Sequence, residues 1–133
     1  MTRFLADTHA IVWRVALGKR LGVAASAAFD EADAGNATII VPAVVLAELW
    51  MIASKQRVAG WTSERFDVLV AEIRGSSNYE LTSLTPDIVL ASRGLGAIKD
   101  IFDRLVAAEA LILGAAIISR DPTYTGLARV VWE

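Results

Sequence analysis

Acidic residues stand at four places where apolar runs end or are interrupted. Asp7 follows "TRFLA", and Glu48 is the only charge in "VPAVVLAELWMIA", residues 41–53. Asp103 lies early in "DIFDRLVAAEALILG", and Asp121 comes just after "AAIIS". An ionised carboxylate in apolar surroundings costs several kcal/mol unless it is paired, metal-bound or protonated. Four such groups at one point repel one another, and burial raises their pKa values unless a cation balances them. A hard divalent cation meets that need. Mg²⁺ and Mn²⁺ take oxygen ligands, keep several waters, and are commonly held by a few carboxylates together with substrate phosphates. Such an ion can polarise a scissile phosphate and activate a bound water. With no cysteine and a single histidine, His9, the chain has no thiol nucleophile, no disulfide and no Cys- or His-based metal cage. Any catalysis must use carboxylates, hydroxyls, Lys and Arg.

The elements that must position these acids follow from the patterning. "TRFLAD" predicts a short buried strand ending at Asp7, and "TIIV", residues 38–41, a second β-branched one; both suit inner strands. Between them "HAIVWRVAL" and "VAASAAFDEADAG" predict helices, the second stopped by Gly35 and Asn36. Pro42 is expected to start a helix running to about Lys55, since proline suits a first turn. "TSERFDVLVAEIRG" predicts an amphipathic surface helix, and "YELTSL" alternates like a strand. Thr85 as N-cap and Pro86 open the next helix. "DIFDRLVAAEALILG" predicts a helix with small residues on one face, followed by the strand "AAIIS" and a last strand in "ARVVW". Strands that alternate with helices and read as continuous apolar runs imply an α/β fold. We expect an α/β/α sandwich with a mostly parallel central sheet of four to five strands, in one domain over residues 1–133.

Composition sets outer bounds. Hydrophobic residues make up 55% of the chain and the mean hydropathy is +0.48, yet no uncharged apolar run is long enough for a membrane span. Asp7 and His9 break the stretch that a signal peptide would need, so a cytoplasmic location without membrane association is expected. The net charge of −2 argues against affinity for nucleic acid through basic residues alone. It does not argue against phosphate chemistry once a metal neutralises the acids. In parallel α/β sheets, ligands bind beyond the carboxyl ends of the strands, where Asp7 and Asp121 are expected. Asp103 in a first helical turn can join them, and Glu48, about two turns into its helix, would have to point back over the sheet edge.

"FLADTHAIVW", "VVLAELWMIASKQRV", "LTPDIVLASRG", "KDIFDRLVAAEALILGAAIISRDPTY" and the terminal "VVW", in this order and spacing, resemble the PIN domain nucleases. Within them the chain is similar to the toxin component of the bacterial VapBC toxin–antitoxin systems. The resemblance covers nearly the whole chain and is least distinctive between about Gly60 and Tyr79. It implies an endoribonuclease dependent on Mg²⁺ or Mn²⁺, held inactive by a cognate VapB-type antitoxin and expected to form a homodimer or a larger assembly with it. Asp7, Glu48 and Asp103 match the three principal acids of the family, and Asp121 a more variable fourth. Thr8 and Ser119 match hydroxyl positions beside the acids; Arg104 is a candidate to hold an acid or a phosphate, and Asp100 is an outer candidate. The chain departs from the subgroup at Ile98, Lys99, Asp100 and Ile101, where members often carry a His and an Asp-Pro step.

Plainer readings stand beside these. Asp7 and Asp100 suit helix caps, Asp103 a first-turn partner of the helix dipole, Asp121 before Pro122 a turn, and Glu48 a buried ion pair with Arg104. Glu109 and Arg120 suit surface or salt-bridge positions, and His9 a packed or capping one. The four tryptophans suit core or interface anchors, with Trp50, Trp61 and Met51 as exposed contacts for a dimer or antitoxin. Two other functions remain open: a receiver-like signalling module, which requires paired acids after the first strand, and a catalytically silent PIN-like interaction domain.

Overall fold

The β-branched runs near the N-terminus become the two inner strands that organise everything else. The computed structural model describes residues 1–133. Strands β1 (Thr2–Ala6), β2 (Ala37–Pro42), β3 (Tyr79–Thr82), β4 (Ala116–Ile118) and β5 (Val130–Val131) form one sheet in the order β3-β2-β1-β4-β5, parallel throughout. Helices α1 (Thr8–Ala16), α2 (Val23–Asp33), α3 (Ala43–Lys55), α4 (Ser63–Gly75), α5 (Pro86–Ser92) and α6 (Ile101–Leu113) cover it, with short 3₁₀ turns at Gly18–Arg20 and Pro122–Tyr124. Leu5, Ala6, Ile39, Ile40, Ile117 and Ile118 are wholly buried, as a sheet covered on both faces requires.

The chain steps outward from β1 to β2 to β3, then returns through α5 and α6 to place β4 on the other side of β1. The strand order therefore reverses between β1 and β4, the place where α/β sheets open a crevice for ligands. Register fixes what lies there: Ala6 pairs with Ile118, so Asp7 and Ser119 leave the sheet at the same level.

Most helix limits follow local chemistry. Thr62 and Thr85 cap α4 and α5, accepting from the backbone N–H groups of Arg65 and Ile88. Gly35, with φ of +85°, follows α2 and lets the Asn36 N–H reach the Glu31 carbonyl at 2.8 Å. Pro42 departs from expectation: it is the last residue of β2, with an extended ψ of 151°, and α3 begins at Ala43. Trp61 departs further. It is fully buried, and its indole N–H donates to the Leu49 carbonyl at 3.0 Å, so it anchors α3 and is no surface contact. Trp50 and Met51 are exposed, at 48% and 44%.

Two packing details position the site. Val44 of α3, Ile88 of α5 and Leu105 and Ala108 of α6 form a small separate core that draws the start of α6 toward α3. Gly22 lies so close to Trp132 that a Cβ there would sit 2.0 Å from the Trp132 carbonyl oxygen. That approach lets the Ala25 N–H donate to the same oxygen at 3.0 Å, tying the chain beyond β5 to the start of α2. No helix is long and apolar enough to cross a membrane.

Candidate active site

Asp7 stands where β1 gives way to α1, and its own N–H donates to the Ile118 carbonyl of β4 at 3.1 Å. Its Oδ1 accepts the Thr8 N–H at 2.8 Å, capping α1, and its Oδ2 accepts the Ser119 hydroxyl at 2.8 Å. The capping and site readings are thus compatible. Ser119, buried at the end of β4, also accepts the Asp121 N–H at 3.0 Å, so one hydroxyl joins two acids. Thr8 is buried as well, and its hydroxyl donates to Glu48 Oε1 at 3.2 Å. Glu48 therefore does point back over the sheet edge from α3. The ion-pair alternative fails: the chain's ion pairs are Arg3 with Glu80 and Arg14 with Asp30 and Asp33, and none involves Glu48.

Asp103 lies in the first turn of α6 and accepts a hydrogen bond at 3.2 Å from the hydroxyl of Tyr124. Tyr124 is fully buried at the end of the Pro122–Tyr124 turn, which Asp121 caps by accepting the Thr123 N–H at 2.9 Å. Asp100 caps α6, its Oδ1 accepting from Phe102 at 2.7 Å and from Asp103 at 3.3 Å. Arg104 Nε donates to the carbonyl of Ile98, whose own side chain is buried in the core. Ile98 and Arg104 thus moor the segment before α6.

Electrostatics bind the acids into one group. Burial raises the Asp7 carboxyl above its ordinary value against the lowering by Ser119, Thr8 and the nearby His9, and Asp121 adds to the rise. Glu48 is raised by burial first and by Asp7, Asp103 and Asp100, against the Thr8 hydroxyl. Asp103 is raised by burial and by Asp100, Asp7 and Asp121, against Tyr124. No three Asp, Glu or His side chains are gathered tightly enough to cage a metal ion by themselves. The donor set is nonetheless all carboxylate and hydroxyl oxygen, without a paired cation. That composition fits Mg²⁺ or Mn²⁺, which keep waters and share their coordination with substrate phosphate.

Two features escaped the sequence reading. Tyr124 carried no signal beyond its place in "RDPTY"; burial with the neighbouring carboxylates raises its pKa, keeping it a donor. Glu109, expected at the surface, is buried on α6, where Thr82 of β3 donates to it at 2.8 Å. The small residues around it, Ala107, Ala108 and Ala110, bring α6 close to its neighbours and leave Glu109 a single polar partner there.

The family model described as PIN domain matches residues 4–130. The chain belongs to the PIN domain family. Solved structures similar to this PIN domain include VapBC2 from Rickettsia felis bound to a promoter DNA fragment, with 17% identity, a TM-score of 0.73, and 99% of this chain and 100% of that one covered. VapBC from Salmonella typhimurium bound to DNA shares 16% identity, with a TM-score of 0.69 and coverage of 98% and 97%. VapC20 from Mycobacterium tuberculosis, described as a sarcin-ricin loop cleaving toxin, shares 17% identity, with a TM-score of 0.66 and coverage of 96% and 98%. No curated protein matches the chain. The PIN domain's strand order, 3-2-1-4-5, also differs from the 2-1-3-4-5 order of receiver-type folds, which removes the signalling alternative.

Proposed function

We propose that this PIN domain is a VapC-type toxin, a metal-dependent endoribonuclease that acts in the cytoplasm and is neutralised by a cognate VapB-type antitoxin. The observation that carries the reading is the group of Asp7, Glu48, Asp103 and Asp121 at the β1/β4 reversal, where hydroxyls hold Asp7, Glu48 and Asp103, the acids raise one another's carboxyls, and none has an ion-pair partner. Asp7, Glu48 and Asp103 would supply the oxygen ligands, and Asp121 would help directly or through water. When bound, Mg²⁺ or Mn²⁺ supplies Lewis-acid polarisation of the phosphate and a lowered pKa for water. Ser119 and Thr8 hold the Asp7 and Glu48 carboxylates in fixed rotamers, and Tyr124 does the same for Asp103. Hydrolysis forms a bond from a water oxygen to phosphorus and breaks one ester P–O bond of the RNA backbone.

The antitoxin reading is supported by the VapBC complexes of similar fold and by a groove of about 380 Å³. Ile11 and Val15 of α1, Phe29 of α2, and Leu69 and Ile73 of α4 line that groove. A homodimer is supported by the exposed Val89, Leu90, Ile101 and Phe102 of α5 and α6, each 45–52% exposed.

The test is cleavage of RNA by purified protein with Mg²⁺, Mn²⁺ or EDTA, beside Asp7→Asn. Metal-dependent cleavage that the substitution abolishes is expected. Cleavage in EDTA would reject the mechanism, and no cleavage under any condition would favour the silent interaction domain.

A further inference from the structure

Beside the acids, a depression of about 390 Å³ is lined by Asp7, Ser119 and Asp121 on one side and by His9, Trp13, Arg120 and Trp132 on the other. Its volume lies within the range of small-molecule sites. Trp13 and Trp132 meet edge to face with centroids 5.5 Å apart, and His9 meets Trp13 at 5.9 Å. The guanidinium carbons of Arg120 and Arg20 lie 5.9 and 6.0 Å from the Trp13 ring centroid, within cation–π range. Neither arginine belongs to an ion pair, and both are exposed. The aromatic wall is fixed, because the Trp132 backbone is held against Gly22 and Ala25.

An acidic edge repels a nucleic acid strand except where positive charge meets the backbone, and a guanidinium free of carboxylates is suited to grip phosphate with paired donors. Arg120, between Ser119 and Asp121 in sequence, holds such a group one residue from the acids.

We propose that this depression seats the nucleotide next to the scissile phosphate, with Arg120 as a positioning residue on the adjoining backbone phosphate and the Trp13–Trp132 pair as the wall against which its base packs. The proposal rests on the nuclease reading, since the acids supply the reacting end of the track. His9 and Arg20 add donors at its rim. Stacking on aromatic side chains tolerates any base, so the track selects single-stranded RNA over a particular sequence.

The test measures binding of a short, mixed-sequence, fluorescein-labelled single-stranded RNA to the Asp7→Asn protein, where cleavage does not interfere. Arg120→Ala is expected to weaken binding about 10-fold and to reduce the salt slope by about one. Arg120→Lys should restore part of the affinity, and Arg74→Ala, on α4, should change little. Equal weakening by Arg74→Ala, no effect of Arg120→Ala, or no binding at all would overturn the proposal. In the wild-type background, Arg120→Ala should raise KM more than it lowers kcat. If the wild-type protein cleaves with metal and Arg120→Ala binds RNA normally, the track fails and the nuclease stands. If RNA binding depends on Arg120 but no metal supports cleavage, the nuclease reading fails, and with it the scissile phosphate of the proposal, leaving an RNA-binding depression only.

Discussion

The Ser119 hydroxyl donates to Asp7 Oδ2 at 2.8 Å across 112 positions of sequence, joining the ends of β1 and β4. Because Ser119 also accepts the Asp121 N–H, it ties the Asp7 carboxylate to the backbone at Asp121. Ser119→Ala should therefore lower metal affinity or cleavage about 10- to 100-fold, as loss of an outer-shell partner does. Titration of activity against Mn²⁺ checks this; an unchanged metal requirement would show that Asp7 holds its place without Ser119.

Asp7→Asn should separate stability from activity. On the proposed metal-dependent mechanism cleavage should fall about 100-fold or more, because the substitution removes the charge with which Asp7 would hold the ion. The metal-free protein should nonetheless melt higher at neutral pH, since a desolvated carboxylate among like charges has been neutralised. The rise in Tm that Mn²⁺ gives the wild type should shrink or vanish. Melting curves with Mn²⁺ and with EDTA decide it.

The same repulsion predicts a sign for pH. Asp7, Glu48 and Asp103 all have carboxyls raised above their ordinary values, so between the ordinary and raised values the folded chain binds more protons than the unfolded one. Their joint contribution to stability then falls as pH rises through that window, and the penalty is absent below the ordinary carboxyl range. The stabilisation by Asp7→Asn in EDTA should accordingly be fully present once pH exceeds the raised Asp7 value and fade on acidification through it. A constant difference across pH would contradict the raised carboxyl.

Tyr124→Phe removes the donor to Asp103 and should cost about 1 kcal/mol in chemical denaturation. The lost hydrogen bond favoured the carboxylate, so Asp103 should take up its proton at higher pH than before. The acidic limb of the pH–activity profile should move upward in pH. A limb that stays put would place its controlling group elsewhere.

Glu109 offers a control within α6. Burial raises its carboxyl and no cation pairs with it, so Glu109→Gln should be neutral or stabilising at neutral pH, with Thr82 still able to donate to the amide oxygen. Cleavage should be unchanged. A large loss of activity would extend the acidic site along α6.

What the sequence made legible was local. Asp7 directly follows an apolar run and Asp121 comes three residues after one, so their level near the strand ends could be read from the runs themselves, as the caps at Thr85 and Asp100 could be read from local sequence. The strand order was not legible, because parallel strands pair through long crossovers that leave no local mark. Asp103 and Glu48 approach each other through Val44, Ile88, Leu105 and Ala108, none distinctive in sequence. Trp61 and Glu109 were misplaced for one reason: residue type predicts average exposure, whereas the neighbours that bury these two come from other elements. The Trp61 indole found a carbonyl of α3 and the Glu109 carboxylate a hydroxyl of β3, and each was thereby satisfied inside.

The bond between Asp7 and Ser119 also sets when, during synthesis, the acidic edge can form. Ser119 and Asp121 leave the ribosome more than a hundred residues after Asp7. Until β4 takes its place beside β1, Asp7 lacks its hydroxyl partner and the acidic edge is incomplete. The two halves of the edge therefore meet only after β4 has been made, and on the nuclease reading proposed above a chain still short of β4 has no complete edge with which to cut RNA.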